Sequence, residues 1–340
     1  MGRNQADIVI LGVETSCDET SAAIVKNGGQ ILSNVVLSQI DDHALFGGVI
    51  PEMASRKHLE AIIPVVDEAL RKSGAVLDDI DAVAVTYGPG LVGALLVGLS
   101  FAKGLARAKN IPMIGVHHIA AHVMAASLTH GELSSPPFTA LIASGGHSSI
   151  YHVQNYRAFK IAGRTRDDAA GEAFDKVARA TGLGYPGGQK LESEAVGGNP
   201  DFIHFPRTAF KDGTFDFSFS GVKTAAVNYL MKNASVAMKD FYASYQAAVN
   251  DALVANTLGA ELAAKTGKIV VAGGVAANGD LRRRFMKAAE QNRDGRIKVL
   301  FPEPALCTDN AAMVAAMAYH SYIAGDFSPL TLNAQPNATL

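Results

Sequence analysis

Short apolar runs separated by small polar turns open the chain: IVILGVE, then SCDETS, then AAIV within residues 7–25. Apolar runs of this length bounded by turn residues predict two strands around a polar turn. The layout returns at residues 138–153, where FTALIA, SGGHSS and IYHV follow one another. Elsewhere the apolar spacing changes to that of helices. Residues 52–72 predict a helix that Pro64 kinks or divides, and further helices are expected at 91–109, over HHIAAHVMAAS, at 168–183 and at 241–266. A closing helix is expected at 308–324, with Thr308 or Asp309 as its N-cap. DAVAVTYGPG and IPMIGV read as short buried strands, and IVVAGGVAANGDLRRRF as a strand, a glycine turn and a helix start. From Asp326 onward, with Pro329 and Pro336 and no periodicity, the tail is expected to fray.

Two strand–turn–strand units, each followed by alternating helices and strands, point to a duplicated α/β domain with a cleft between its halves. The boundary is placed in GELSSPP, giving one lobe from residues 1–133 plus 308–325, a second from 134–307, and a frayed tail at 326–340. A length of 340 residues agrees with two cores. With 48% hydrophobic and 18% charged residues and no charge blocks, the chain has a compact rather than disordered profile. The formal net charge of −2 argues against a protein that grips nucleic acid unaided, because phosphate neutralisation demands a basic excess. Basic residues cluster only locally, at Arg282, Arg283 and Arg284 and at Lys160, Arg164 and Arg166. A nucleic-acid substrate would therefore be held partly by other subunits. Two cysteines, Cys17 and Cys307, cannot build a disulfide framework for a chain this size, so a reducing compartment is expected. The apolar stretch near the N-terminus is too short for a signal peptide, and no apolar helix candidate approaches membrane-spanning length. The expected location is the cytoplasm, without a membrane partner.

His118 and His122 stand four apart in a predicted helix, so their rings share a face and suit convergence on one metal ion. The pair also fits ordinary surface or packing histidines, HExxH is missing, and a third ligand has to come from elsewhere. SGGHSS joins strand to strand and is neither a dinucleotide fingerprint nor a phosphate loop, yet its amides can form an anion nest. GGVAAN lies between a strand and a helix, where a ligand meets a helix N-terminus, and YPGGQ is a further glycine turn. Each turn is also explained by local geometry; together they favour a nucleotide site. Glu14, Asp18 and Glu19 crowd one turn, which costs repulsion unless a cation or a proton is present. Asp175 reads as a solvated neighbour of Lys176, Asp309 as a helix cap, and Lys223 as either a phosphate contact or a snorkelling lysine.

Taken in order, GVETSCDETS, GGVIPEMASRKH, YGPGLVGALLVGLSFAKGLA, GVHHIAAH, ASGGHSS, DDAAGEAFDKVA, GYPGG, FSFSGVKTA, GGVAAN and CTDNAAM closely resemble the TsaD family, also called Gcp or YgjD and related to the Kae proteins. The resemblance implies an actin/Hsp70-like (ASKHA) fold, two α/β lobes with a nucleotide in the cleft. It implies metal ligands at His118, His122 and Asp309, nucleotide contacts at Ala143, Ser144, Gly145, Gly146, His147, Asp175, Gly188 and Asn278, and an acidic turn at Asp18 and Glu19 facing the reaction centre. The implied reaction moves threonylcarbamoyl from threonylcarbamoyl-AMP to N6 of the adenosine 3′ of the anticodon in tRNAs reading codons that begin with A. Asp18, and after it Glu19, is the candidate base. The implied cofactor is one divalent metal ion per subunit, iron first and zinc as the alternative, and the implied partners are tRNA, a TsaB-like paralogue and a TsaE-like ATPase. The chain departs from the family in Gln189 after YPGG, which puts a ribose contact by Glu192 in doubt, in Ala120 and Ala121 within the histidine motif, and in its ending QPNATL. Rival readings are a metal-dependent glycoprotein endopeptidase (an old label of the family), a phosphotransferase of the same fold, and a nucleotide-binding regulator without catalysis.

Overall fold

The computed structural model describes residues 7–208, 210, 212–233, 235–291 and 297–340. In chain order it begins with strands β1 (Val9–Glu14), β2 (Glu19–Lys26) and β3 (Gln30–Ser38), then helices α1 (Ile40–Ala44) and α2 (Pro51–Ser73). Strand β4 (Ala82–Gly88), helix α3 (Val92–Lys109), strand β5 (Met113–His117) and helix α4 (His118–His130) follow. Next come β6 (Phe138–Ala143), β7 (Ser148–Asn155), β8 (Ala158–Arg164), α5 (Ala170–Ala180), α6 (Gly187–Ala195) and α7 (Ser220–Lys232). The remainder is α8 (Met238–Ala264), β9 (Lys268–Ala272), α9 (Gly279–Gln291), β10 (Lys298–Leu300) and α10 (Ala311–Ile323).

Two compact units result, one from Met1–Leu133 with Thr308–Leu340 and the other from Ser134–Cys307. Each contains one five-stranded sheet, ordered β3-β2-β1-β4-β5 in the first and β10-β9-β6-β7-β8 in the second. Read from opposite ends the two orders are the same. A strand (β1 or β6) pairs antiparallel with the next one and parallel with a later one (β4 or β9). The internal duplication is therefore one of topology as well as of motif.

In the first unit β1, β2 and β4 are buried almost throughout, as continuous apolar runs dictate. α2 and α3 pack together beside the sheet, and α10 lies against β1, β2, β4 and β5. α10 starts so close to β1 that a Cβ on Gly12 would meet the Ala311 carbonyl at 2.3 Å. Pro64 does not divide α2, which runs through it with the proline on the exposed face. β3 had no clear signal because it is an edge strand with only one fully buried residue, so its alternation is blurred.

The tail is not frayed. Ser328 N donates to Met113 O at 2.9 Å, Gln335 N to Tyr87 O at 2.8 Å, and Gly90 N to Pro336 O at 3.1 Å. Leu332 packs on the first unit's core. Backbone pairing with β5 and the YGPG loop leaves no periodicity to read. In the second unit α8 crosses the sheet and the core gathers around Phe217, Phe219, Phe241 and Tyr245. Among the described residues, no helix is long and apolar enough to cross a membrane.

Candidate functional site

β5 hands directly into α4, so His118 is the first residue of that helix and His122 lies one turn on; both are buried. Asp309 comes from the segment before α10. The cap of α10 is neither Thr308 nor Asp309 but Asn310, whose Oδ1 accepts the Met313 N–H at 3.2 Å. That leaves the Asp309 carboxylate available to the histidines.

His122 Nε2 is 3.3 Å from His118 Nε2 and 3.2 Å from Asp309 Oδ1, and His118 Nε2 is 3.6 Å from the same oxygen. Metal–nitrogen bonds of about 2.1 Å in a tetrahedral array place neighbouring donors about 3.4 Å apart, so the three donors fit three corners around one ion. Among the described residues this is the one group of metal-type ligands so convergent. His118 Nδ1 lies 3.2 Å from Glu14 Oε2, so its N–H donates to the carboxylate and the Nε2 lone pair faces the other donors. Glu14 is wholly buried and also accepts from Ser16 N and Thr86 Oγ1, each at 2.5 Å. Burial pushes the His118 pKa down, but the carboxylates of Asp309 and Glu14 outweigh it and hold it at about 9. Burial alone would raise Glu14, yet the His118 cation brings it below the ordinary carboxylate value. With no ion present, a proton takes the position of the positive charge.

The three acids of the first turn thus separate. Glu14 is the ionised partner of His118. Glu19 is pushed well above the usual carboxylate range by burial and then by Asp18 and Asp309, and shares a hydrogen bond with Asp18. Asp18 is buried beside it.

The nucleotide candidates all lie in the second unit, where backbone contacts tie the ledge of Ala143–His147 to Gly171 and Gly273. Ala143 ends β6, and Ser144–His147 form the turn into β7, closed by Ser144 N donating to His147 O at 2.8 Å. Around Gly145 and Gly146 there is open space where side chains would stand. Ser144 O accepts Gly171 N from α5 at 3.1 Å, and a Cβ on Gly273 would lie 2.4 Å from Ala143 O. Gly273 has φ +89°, so glycine is required there on both counts. Asp175 is not a solvated neighbour of Lys176: its Oδ1 accepts Gly187 N at 2.7 Å and Gly188 N at 3.3 Å, capping α6. YPGGQ is therefore a helix start. Asn278 Oδ1 accepts Leu281 N at 2.8 Å, and its Nδ2 donates to Gln246 at 2.9 Å. Glu192 Oε1 accepts Gly279 N at 2.7 Å and lines a cavity of about 360 Å³ with Gln246, Asp280 and Arg283. Lys223, read as a phosphate contact or a snorkelling lysine, pairs with Asp168 at 2.5 Å.

A family model described as "TsaD: tRNA N6-adenosine threonylcarbamoyltransferase" matches residues 30–316. A Clostridium perfringens protein named tRNA N6-adenosine threonylcarbamoyltransferase is 55% identical over 336 residues, 98% of each chain. The chain belongs to the TsaD family. Among solved structures, full-length HypF in its phosphate- and nucleotide-bound form has a TM-score of 0.65 at 14% identity, covering 94% of this chain and 47% of that one. Component A of the Acidaminococcus fermentans (R)-2-hydroxyglutaryl-CoA dehydratase has a TM-score of 0.55 at 15% identity, covering 93% and 99%. These likenesses concern the fold, which is of the actin/Hsp70 (ASKHA) type. In this TsaD family member, spacing and resemblance name the donors but miss the groups behind them: Glu14 against His118, Ser16 Oγ at 3.2 Å from the same ring nitrogen, and His58 beneath the acidic turn. A carboxylate at the end of an apolar, almost wholly buried strand was the available signal for Glu14.

Proposed function

We propose that the chain transfers the threonylcarbamoyl group of threonylcarbamoyl-AMP to N6 of the adenosine 3′ of the anticodon in tRNAs reading codons that begin with A. The observation that carries this reading is the convergent donor set His118, His122 and Asp309 beside the acidic turn, in a chain 55% identical to a protein of that name. In the transfer a bond forms between N6 and the carbonyl carbon, the bond from that carbon to the AMP phosphate oxygen breaks, and the amine gives up a proton. Asp18, and after it Glu19, is the assigned acceptor of that proton. His118, His122 and Asp309 would hold one divalent ion, iron in the first place and zinc as the alternative, and such an ion polarises a carbonyl or orients the donor.

On the second unit, the Ser144–Gly146 turn suits the phosphate, which becomes part of the leaving group, through the amides of Gly145 and Gly146, Ser144 N being held by His147 O. Ala143, His147, Asp175, Gly188 and Asn278 complete the assigned nucleotide contacts, with Asp175 and Asn278 acting by shaping helix starts. Glu192 reaches Gly279 and lines the neighbouring cavity, which restores it as a candidate contact. A TsaB-like helical partner is supported by Leu59 and Ile63 on α2 and Val92 and Leu96 on α3, all exposed on two helices packed together. tRNA would be shared with that partner, and a TsaE-like ATPase belongs to the same assembly. Both cysteines are free, which fits a cytoplasmic location.

The test is the N6-threonylcarbamoyladenosine content of tRNA, measured by mass spectrometry of nucleosides from depleted cells rescued with wild type or His118→Ala. The reading expects loss on depletion and recovery with wild type alone. An unchanged level in cells holding no second family member overturns it.

A further inference from the structure

The acidic turn has to be held to within a fraction of an ångström if one of its carboxylates is to take a proton from a substrate amine. β1 and β2 fix its two ends, with Glu19 already the first residue of β2, and Thr15 Oγ1 donates to Ala94 O at 2.9 Å, but Cys17 and Asp18 sit between these anchors. Beneath these two lies His58, a wholly buried residue of α2. Its Nε2 is 3.0 Å from Cys17 O, and its Nδ1 is 2.7 Å from Thr20 Oγ1. The two contacts straddle Asp18 and Glu19. A carbonyl oxygen accepts and never donates, so Nε2 carries the proton. In the neutral ring Nδ1 is then an acceptor, and the Thr20 hydroxyl donates to it.

We propose that His58 is the positioning residue of the acidic turn, one imidazole locked as the Nε2–H tautomer that clamps Cys17 and Thr20 and so aims the carboxylates of Asp18 and Glu19. It touches neither the metal-type donors nor the nucleotide ledge in its hydrogen bonding, so its contribution is separable from both. Ser16, next along the turn, is held independently by Glu14 and by Leu91 N, which donates to Ser16 O at 2.8 Å. The clamp therefore acts on residues 17–20 rather than on the whole turn.

The catalytic consequence rests on the transferase reading, and the test separates the two. In a reconstituted transfer assay that includes the partner subunits, His58→Ala is expected to lower kcat about 100-fold, with KM and bound metal unchanged. His58→Gln restores a donor towards Cys17 O and His58→Asn an acceptor towards Thr20, and each is expected to recover about tenfold of the loss. A kcat for His58→Ala within threefold of wild type overturns the proposal. So does a set in which all three variants lose metal and thermal stability together, which would make His58 a packing residue. If wild type shows no transfer, the transferase reading fails, while the clamp is still read from the long-range ¹⁵N–¹H spectrum of the His58 ring. One fixed Nε2–H tautomer, with Nδ1 shifted on Thr20→Val, is expected; the opposite tautomer or an averaged signal overturns the clamp.

Discussion

Two imidazole nitrogens 3.3 Å apart cannot both point lone pairs at each other, so either a cation or a proton has to lie between His118 and His122. Without metal the proton wins, and the carboxylates of Asp309 and Glu14 hold His118 at about pKa 9. Metal must displace that proton. Below pH 9, binding should release about one proton, and the apparent affinity should rise about tenfold per pH unit before levelling off near pH 9. Calorimetry in buffers of different ionisation enthalpy reads the released proton; buffer-independent heats at pH 7 would contradict the arrangement. The metal-free protein should show the linked effect. Its His118 pKa is raised in the folded state, so the stabilisation is complete below the unfolded value near 6.5 and is lost as pH rises through about 9. Glu14 carries a separate expectation. Glu14→Gln keeps the shape but removes the charge that orients and enriches His118, and should weaken metal binding about 10- to 100-fold in a chelator competition. Spacing brought out the two histidines because a helix repeats. It was blind to Glu14, whose partner lies 104 residues away in sequence and is met only when β1 and α4 pack.

At the scale of elements, α2 was legible because one face alone is buried, and β1 and β4 because both faces are. Edge strand β3 and the tail were not, because neither buries a regular set of side chains. The start of α10 shows a finer limit. Thr308, Asp309 and Asn310 are all capping residue types, and pattern cannot choose among them. The structure selects Asn310 and turns Asp309 to the histidines. Asn310→Ala should therefore cost about 1 kcal/mol of stability and also loosen metal binding, because the cap fixes the residue beside it. Thermal melts with and without metal read both; a stability loss with unaltered metal affinity would separate the cap from the ligand. The tail makes a similar point. A chain ending at Ala324 loses the backbone bonds to Tyr87, Gly90 and Met113 and uncovers Gly88 and Gly115, where a side chain would meet Gln335 and Leu332. Its melting temperature should fall, whereas a frayed tail could be removed without effect.

The whole molecule repeats one topology twice, yet its two units differ in how the chain completes them. The unit from Ser134 to Cys307 is continuous, with its own sheet and an aromatic core about Phe217, Phe241 and Tyr245. The other is finished only when α10 and the tail return to it, bringing Asp309 and covering the β1 face at Gly12. Residues 311–318 of α10 are buried along their whole length, so a fragment lacking them exposes an apolar sheet face and loses a metal donor together. Expressed alone, residues 134–307 should fold cooperatively, as a unit with its own core does. Residues 1–133 should not fold, although they hold both histidines, and should bind a divalent ion no better than an unfolded peptide with the same two side chains. Adding residues 308–340 in trans, as a separate peptide, should restore both structure and metal affinity, because its free energy of docking is the burial of that helix. Circular dichroism and equilibrium dialysis with zinc read the two effects. Metal binding by 1–133 alone would show that the site assembles from α4 without Asp309, and the coupling of fold completion to metal capture would have to be abandoned.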